Sequence, residues 1–269
     1  MNFTRKMIVR PGSKIKLKDF DPDDTLGYQD DKKTQAKTAK LIQRLDDLQY
    51  LFFAVKKRAL LIVLQGMDTG GKDGTIRHVM SGISPEGCDV TSFKSPTPDE
   101  LAHDFLWRIH KAVPEKGDFG IFNRSHYEDV LIVRVHKLVP KKVWKARYDE
   151  INAFEKLLVE NRIHIVKFFL HISKDEQKRR LEARITDPQK SWKISAADFA
   201  ERKYWDDYVS AYEDAIARCS TESAPWFIIP ANHKWFRNFA VSKILVETLE
   251  DLDMQLPRPS VDLSKLNLR

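Results

Sequence analysis

Only two cysteines occur in 269 residues, Cys88 and Cys219, and they lie far apart with no C-x-x-C spacing. That excludes a zinc cage and a disulfide framework and fits a reducing cytoplasm. No apolar run approaches the ~18 residues of a membrane span. The charged opening stretch MNFTRKMIVRPGSKIKLKDF lacks a signal-peptide core. A soluble, intracellular protein without membrane contact is expected. Internal repeats and low-complexity tracts are missing as well. Glycine is scarce, with ten residues in all, yet Gly66, Gly70, Gly71 and Gly74 fall within the nine positions of GMDTGGKDG. Such crowding marks residues 66–74 as a loop with a task.

What is present is charge. The 46 Lys and Arg exceed the 39 Asp and Glu, a net of +7, so the surface attracts polyanions. Charge alone does not choose among nucleic acid, polyphosphate, an anionic membrane and a plain solvated surface. The length suits one large core, or one core with a mobile appendage, and not two full domains.

Residues 1–31 are polar, with turn chemistry in DFDPDDT, and predict an irregular leader. From Lys32 to Arg58, Leu41, Leu45, Leu48, Leu51 and Phe52 recur at helical spacing. ALLIVLQ (59–65) follows as an apolar run ended by glycine, the pattern of a strand buried on both faces of a parallel sheet. DVTSF (89–93), DFGIFN (118–123), IHIVKFFLHI (163–172) and WFIIP (226–230) read as four more strands. Helical patterns over Pro98–Val113 and Val143–Asn161 separate them, so βαβ units build a three-layer α/β domain over 32–258. The basic, aromatic stretch at about 174–224 exceeds a plain crossover and suits a helical lid, or else two ordinary surface helices. Trp205, Tyr208 and Tyr212 recur there at helical spacing and read as core. Residues 259–269 form a tail.

Strand, glycine loop and helix together match the phosphate-loop pattern G-x-x-x-x-G-K-[ST] at Gly66, Gly71 and Lys72, except that Asp73 replaces the hydroxyl residue. Backbone N–H groups of such a loop and the following helix N-terminus converge on phosphate, and Lys72 adds a point charge. Thr75 could replace the missing hydroxyl. Asp68 could instead hold one or two Mg²⁺ ions that bridge to phosphate oxygens, or merely cap the following helix. IFNRSHYEDV (121–130) ends the third strand, where open α/β sheets bind ligands. Arg124 has a fork for phosphate, and Glu128 and Asp129 suit a metal or an acceptor oxygen. His126 is either packing or catalytic. Lys94 and Thr97, in SFKSPTPDE, serve the same face or ordinary turn chemistry.

The ordered set GMDTGGKDGTIRHV, FKSPTPDE, FNRSHYEDVLIVRV, FFLHISKDEQKRRLEAR and PWFIIPANHKWFRN closely resembles the polyphosphate kinase type 2 family, over about Asp19 to Leu252. The resemblance implies a P-loop kinase fold like that of thymidylate kinases. It also implies Mg²⁺-dependent transfer of the terminal phosphoryl group of inorganic polyphosphate to a nucleotide, with Mn²⁺ able to substitute. In this family an Asp after the loop lysine is normal. By position, Asp68 and Asp129 would hold metal. Gly66, Thr69, Gly70, Gly71, Lys72, Asp73, Gly74, Lys94, Arg180, Arg184, Lys190 and Lys193 would face phosphate, and Asn123, Arg124, His126, Glu128 and Asp129 the nucleotide. Many diphosphate-specific members resemble DRSWYNR where this chain has NRSHYED. The departures at Asn123 and Glu128 favour members that take AMP to ADP and ADP to ATP, with guanine nucleotides as further acceptors. A homo-oligomer, dimer or tetramer, is expected, and nucleic acid is not an expected partner. The rival readings are an ATP-dependent nucleoside monophosphate kinase and an RNA- or polyanion-binding protein with a vestigial loop.

Overall fold

Ala59–Gln65 forms strand β1, and all seven of its residues are buried, as an unbroken apolar run demands. In the computed structural model, residues 3–189, 191–193 and 196–261 are described, without the side chains of 193 and 196–198. Helix α1 (Lys32–Val55) precedes β1, and α2 (Lys72–Val79) follows its loop. Strands β2 (Cys88–Ser92), β3 (Phe119–Asn123), β4 (Ile163–His171) and β5 (Trp226–Pro230) complete a parallel sheet of order β2-β3-β1-β4-β5. Leu64 of β1 pairs with Asn123 on one side and Phe168 on the other, so the loops after β1 and β3 start side by side. From β1 the chain runs outward to β2, and from β3 it runs the opposite way to β4. The winding therefore reverses at the carboxyl ends of β1 and β3, the crevice where such sheets bind ligands.

Helix α10 (Lys234–Glu250) packs on α1 and α2 over one face of the sheet. On the other face lie α5 (Ile132–Val135), α6 (Lys141–Glu160) and α9 (Trp205–Cys219). The result is the expected three-layer α/β arrangement. Helix α7 (Lys174–Thr186) and the short α8 (Ala196–Glu201) precede α9 between β4 and β5.

Two stretches differ from the sequence expectation. The single helix anticipated over Pro98–Val113 is divided into α3 (Pro98–Leu101) and α4 (Trp107–His110). Thr97 and Glu100 form a capping box that starts the first, while the Asp104 carboxylate accepts from the Leu106 N–H and diverts the backbone between them. The polar leader is also anchored. Val9 N–H donates to Trp226 O and Ile228 N–H to Met7 O, and Ile8 bridges Phe227, which covers the open edge of β5. Met7, Val9, Ile15 and Leu17 are buried, a role that charges every few residues had concealed.

Candidate active site

Past Gln65 the backbone enters the loop at Gly66 with φ 155°, where an added Cβ would lie 2.8 Å from Leu170 O. Only glycine fits that approach of β1 to β4. Gly71, at φ 102°, is the N-cap of α2, and no side chain caps the helix, so Asp68 is not the cap. Thr69 and Arg124 also adopt left-handed backbone (φ 64° and 63°). For a β-branched threonine this is strained, at a cost of order 1–3 kcal/mol, and such strain gathers at functional sites.

The Lys72 ammonium folds back over the loop, donating to Gly66 O at 2.8 Å and Met67 O at 3.3 Å. Burial and nearby Arg124 push its pKa down, while Asp68, Glu128 and Asp73 pull the other way. Asp73 accepts from Asn123 Nδ2 at 2.8 Å, which ties α2 to the end of β3. Thr75 is fully buried and its hydroxyl donates back to Gly71 O, so it does not supply the missing hydroxyl of the loop.

Asp68 instead faces Arg124, with Nη2 to Oδ1 at 3.2 Å. Both line a cavity of about 310 Å³, together with Gly66, Met67, Glu128, Ile132, Gln177, Glu201, Arg202, Trp205, Tyr208 and Tyr212. Burial raises the Glu128 pKa against the opposing pull of Arg124 and Lys72. For Arg124 burial acts downward, but Glu128 and Asp68 outweigh it and raise its pKa. Gln65, buried behind this cavity, ties its surroundings together: its Nε2 donates to Ser125 Oγ at 3.1 Å and its Oε1 accepts from the lining Tyr212 OH at 3.3 Å.

Several residues expected at the site sit elsewhere. His126 is fully buried, with Nε2 3.1 Å from Glu155 Oε1, so it is a core residue and no face of it reaches the cavity. Asp129 does not line the cavity. Its carboxylate accepts from Arg147 Nη1 of α6 at 3.0 Å, because the turn at 126–129 sends consecutive side chains in different directions. Arg180, expected to grip polyphosphate, is 7% exposed and its donors are engaged: Nε with Glu176, Nη1 with Thr69 O, Nη2 with Ala231 O and Asn232 O. It braces the loop from behind. Lys94 is exposed beyond β2, and Arg184, half-buried on α7, is not among the cavity residues. Lys190 and the side chain of Lys193 lie outside what the structure describes.

Gln65, Gln177 and Ile132 are not foreseen from the sequence, and the helical spacing of Trp205 and Tyr208 suggests core. Gln65 carried a signal, a polar residue closing an apolar strand. Trp205, Tyr208 and Tyr212 all line the cavity, Tyr212 as a side chain only 4% exposed that also packs in the core. Helical periodicity groups a face without saying what it faces.

Asp129 yields a pH prediction. Burial lifts its pKa to about 6, against the pull of Arg147. The folded state therefore holds the proton more tightly than the unfolded chain, and stability falls as pH rises from ~4 through ~6. Asp129→Asn keeps an acceptor for Arg147 and removes the titration. Its Tm is expected to gain on wild type by roughly 5 °C or more between pH 4 and pH 7. A pH-independent Tm difference refutes the shift.

The polyphosphate kinase 2 (PPK2) family model matches residues 28–257. The chain belongs to this family. It is 52% identical over 263 residues to the AMP/ADP-polyphosphate phosphotransferase of Meiothermus ruber, covering 97% of this chain and 98% of that one. Over 228 residues it is 50% identical to the ADP-polyphosphate phosphotransferase of Rhodopseudomonas palustris, covering 80% and 79%. The crystal structure of Polyphosphate Kinase 2 from Arthrobacter aurescens superposes with a TM-score of 0.94 at 45% identity, over 98% of this chain and 94% of that one. The fold expected of the PPK2 family is thus the fold observed. Among the described residues no helix is long and apolar enough to cross a membrane.

Proposed function

We propose that this protein transfers the terminal phosphoryl group of inorganic polyphosphate to AMP and to ADP. The observation that carries the reading is the convergence of Asp68, Arg124 and Glu128 on one cavity beside the Lys72 loop, at the carboxyl ends of β1 and β3. Relatives identical to this chain at half or more of the aligned positions are named for this chemistry, and the one covered almost end to end is named for both acceptors.

Phosphoryl transfer asks little of covalent chemistry and much of positioning and charge neutralisation. The loop amides and Lys72 hold the donor phosphates. Arg124, kept charged by Glu128 and Asp68, presents its fork to the transferring or accepting phosphate. The aromatic wall of Trp205 and Tyr208 offers a face on which a nucleobase can lie, with Gln177 and Arg202 at its edge. Closure of the lid segment over the cavity would exclude water from the transferring group.

Among the described residues no cluster of three or more His, Cys, Asp or Glu forms a metal cage. Mg²⁺ in phosphoryl transfer instead uses one or two carboxylates plus substrate phosphates, and Asp68 with Glu128 are hard oxygen donors on the cavity wall that fit this mode. When bound, the ion would neutralise phosphate charge. Glu128, in place of the expected Asp129, is the second ligand in this reading. A cytoplasmic setting suits the free thiols Cys88 and Cys219, pushed up to about 11 and about 12 by burial and so held protonated.

The test is nucleotide separation after incubation with Mg²⁺ and long-chain polyphosphate, with AMP alone and then ADP alone. ADP followed by ATP from AMP is expected. ATP from ADP only restricts the acceptor, and a requirement for ATP as donor overturns the reading.

A further inference from the structure

Arg237 of α10 is 2% exposed, yet among the described residues its guanidinium forms no ion pair. Its Nε and Nη2 donate to the neutral Oδ1 of Asn238, at 3.1 and 2.8 Å. The group lies directly against the loop. A Cβ built on Gly71 would fall 2.0 Å from Arg237 Nη1, and one on Gly74 would fall 3.2 Å from Nη2. The guanidinium thus fills the space beside two of the four clustered glycines. Arg180 Nη1 comes within 3.6 Å of the same Gly71 position, and its counter-ion Glu176 is shared with Arg179. The N-terminus of α2, Lys72 and two arginines therefore concentrate positive charge at one loop.

A buried cation without a counter-ion is costly, and proteins keep such groups paired unless a ligand supplies the opposite charge. We infer that Arg237 is a buried electrostatic anchor for the polyphosphate anion, acting through the loop at Gly71 and Gly74 and obtaining its counter-charge only when the donor is bound. The inference rests on the reading of this loop as the polyphosphate site. Burial, and next the neighbouring Arg180, push the Arg237 pKa down to about 10, in keeping with a charge that the ligand-free protein accommodates poorly.

The full-length protein tests it, with inorganic tripolyphosphate as the probe. Arg237→Gln retains a donor toward Asn238 and removes the charge, whereas Arg237→Lys retains the charge. In calorimetric titrations at low salt, Arg237→Gln is expected to bind tripolyphosphate about tenfold more weakly, and Arg237→Lys close to wild type. The ligand-free Tm of Arg237→Gln is expected to equal or exceed that of wild type. In turnover, KM for polyphosphate rises with kcat within about twofold and KM for ADP unchanged. A structural prop predicts the reverse: a lower ligand-free Tm with unchanged affinity, or equal losses in the Gln and Lys variants, and either result overturns the inference. A rise confined to the nucleotide KM overturns it too, by placing nucleotide phosphates at the loop. Wild-type protein that fails to bind tripolyphosphate removes the underlying reading as well, whereas equal affinity in wild type and Arg237→Gln removes this inference alone.

Discussion

Lys72→Ala is expected to lower kcat for polyphosphate-dependent phosphorylation about a hundred- to a thousand-fold, the range seen when one preorganised charge stabiliser is removed from a transition state. Lys72 follows the N-cap glycine of α2, and its ammonium hovers over the loop on two carbonyls, Gly66 O and Met67 O. Those contacts are exchangeable for phosphate oxygens. Burial and Arg124 destabilise the cation in the ligand-free protein, so loss of the side chain costs the fold little. Tm should stay within a few degrees of wild type. Single-turnover rates alongside thermal melts distinguish the outcomes. A variant that folds normally and turns over at near wild-type rate would remove Lys72 from the chemistry, and one that unfolds would make the residue structural.

The second large effect lies in the core. Lys167 of β4 has no exposed surface, and its Nζ donates to Glu155 Oε2 at 2.5 Å, Cys219 O at 2.6 Å and Tyr127 OH at 2.9 Å. Glu155 Oε1 accepts in turn from Tyr127 OH and faces His126 Nε2. Burial alone raises the Glu155 pKa, but Lys167 and His126 outweigh it and the net shift is downward. Removing one partner of such a pair leaves a charge stranded, at about 3–5 kcal/mol. Lys167→Met is therefore expected to lower Tm by roughly 6–20 °C at neutral pH. The sign of the pH dependence follows. In wild type the contribution of Glu155 is complete above its unfolded pKa near 4.3 and is lost as pH falls through the lower native value. In the variant Glu155 has no cation, so its penalty appears above pH ~4 and shrinks below it. Lys167→Met/Glu155→Leu should recover most of the loss, because both charges are gone. Full stability of the single variant at pH 7 would contradict this account. Activity should fall with stability, since Ser125, His126 and Tyr127 form the turn that carries Glu128 beside Arg124.

Much of the fold was legible because parallel strands covered on both faces are continuous apolar runs. β1 and β5 match their expected bounds, and the other strands lie within a residue or so. The first long helix started where expected, behind Asp31, whose carboxylate accepts from Thr34 N–H, and ended three residues early at Val55, before the left-handed Lys56. That Gly66, Asp68, Arg124 and Glu128 share one cavity was legible because a glycine loop and strand-end charges at neighbouring strands must meet at the carboxyl edge of the sheet. Asp129, His126 and Arg180 were not separable from them, since adjacent or helical spacing says nothing of side-chain direction across a turn.

From residue order alone came the alternation of strand and helix, the glycine loop with Asp73 after its lysine, the basic stretch between the fourth and fifth strands and the family. Each depends on local composition or on spacing along the chain. Tertiary structure alone decided that Asp73 bonds Asn123, that Arg180 braces Thr69, that Trp205 and Tyr208 wall the cavity, and that Arg237 fills the space left by Gly71 and Gly74. These are contacts between residues 50 to more than 160 positions apart. A charged side chain looks the same in a sequence whether it meets water, a carbonyl or a phosphate loop, and only the packing of α7 and α10 against that loop determines which.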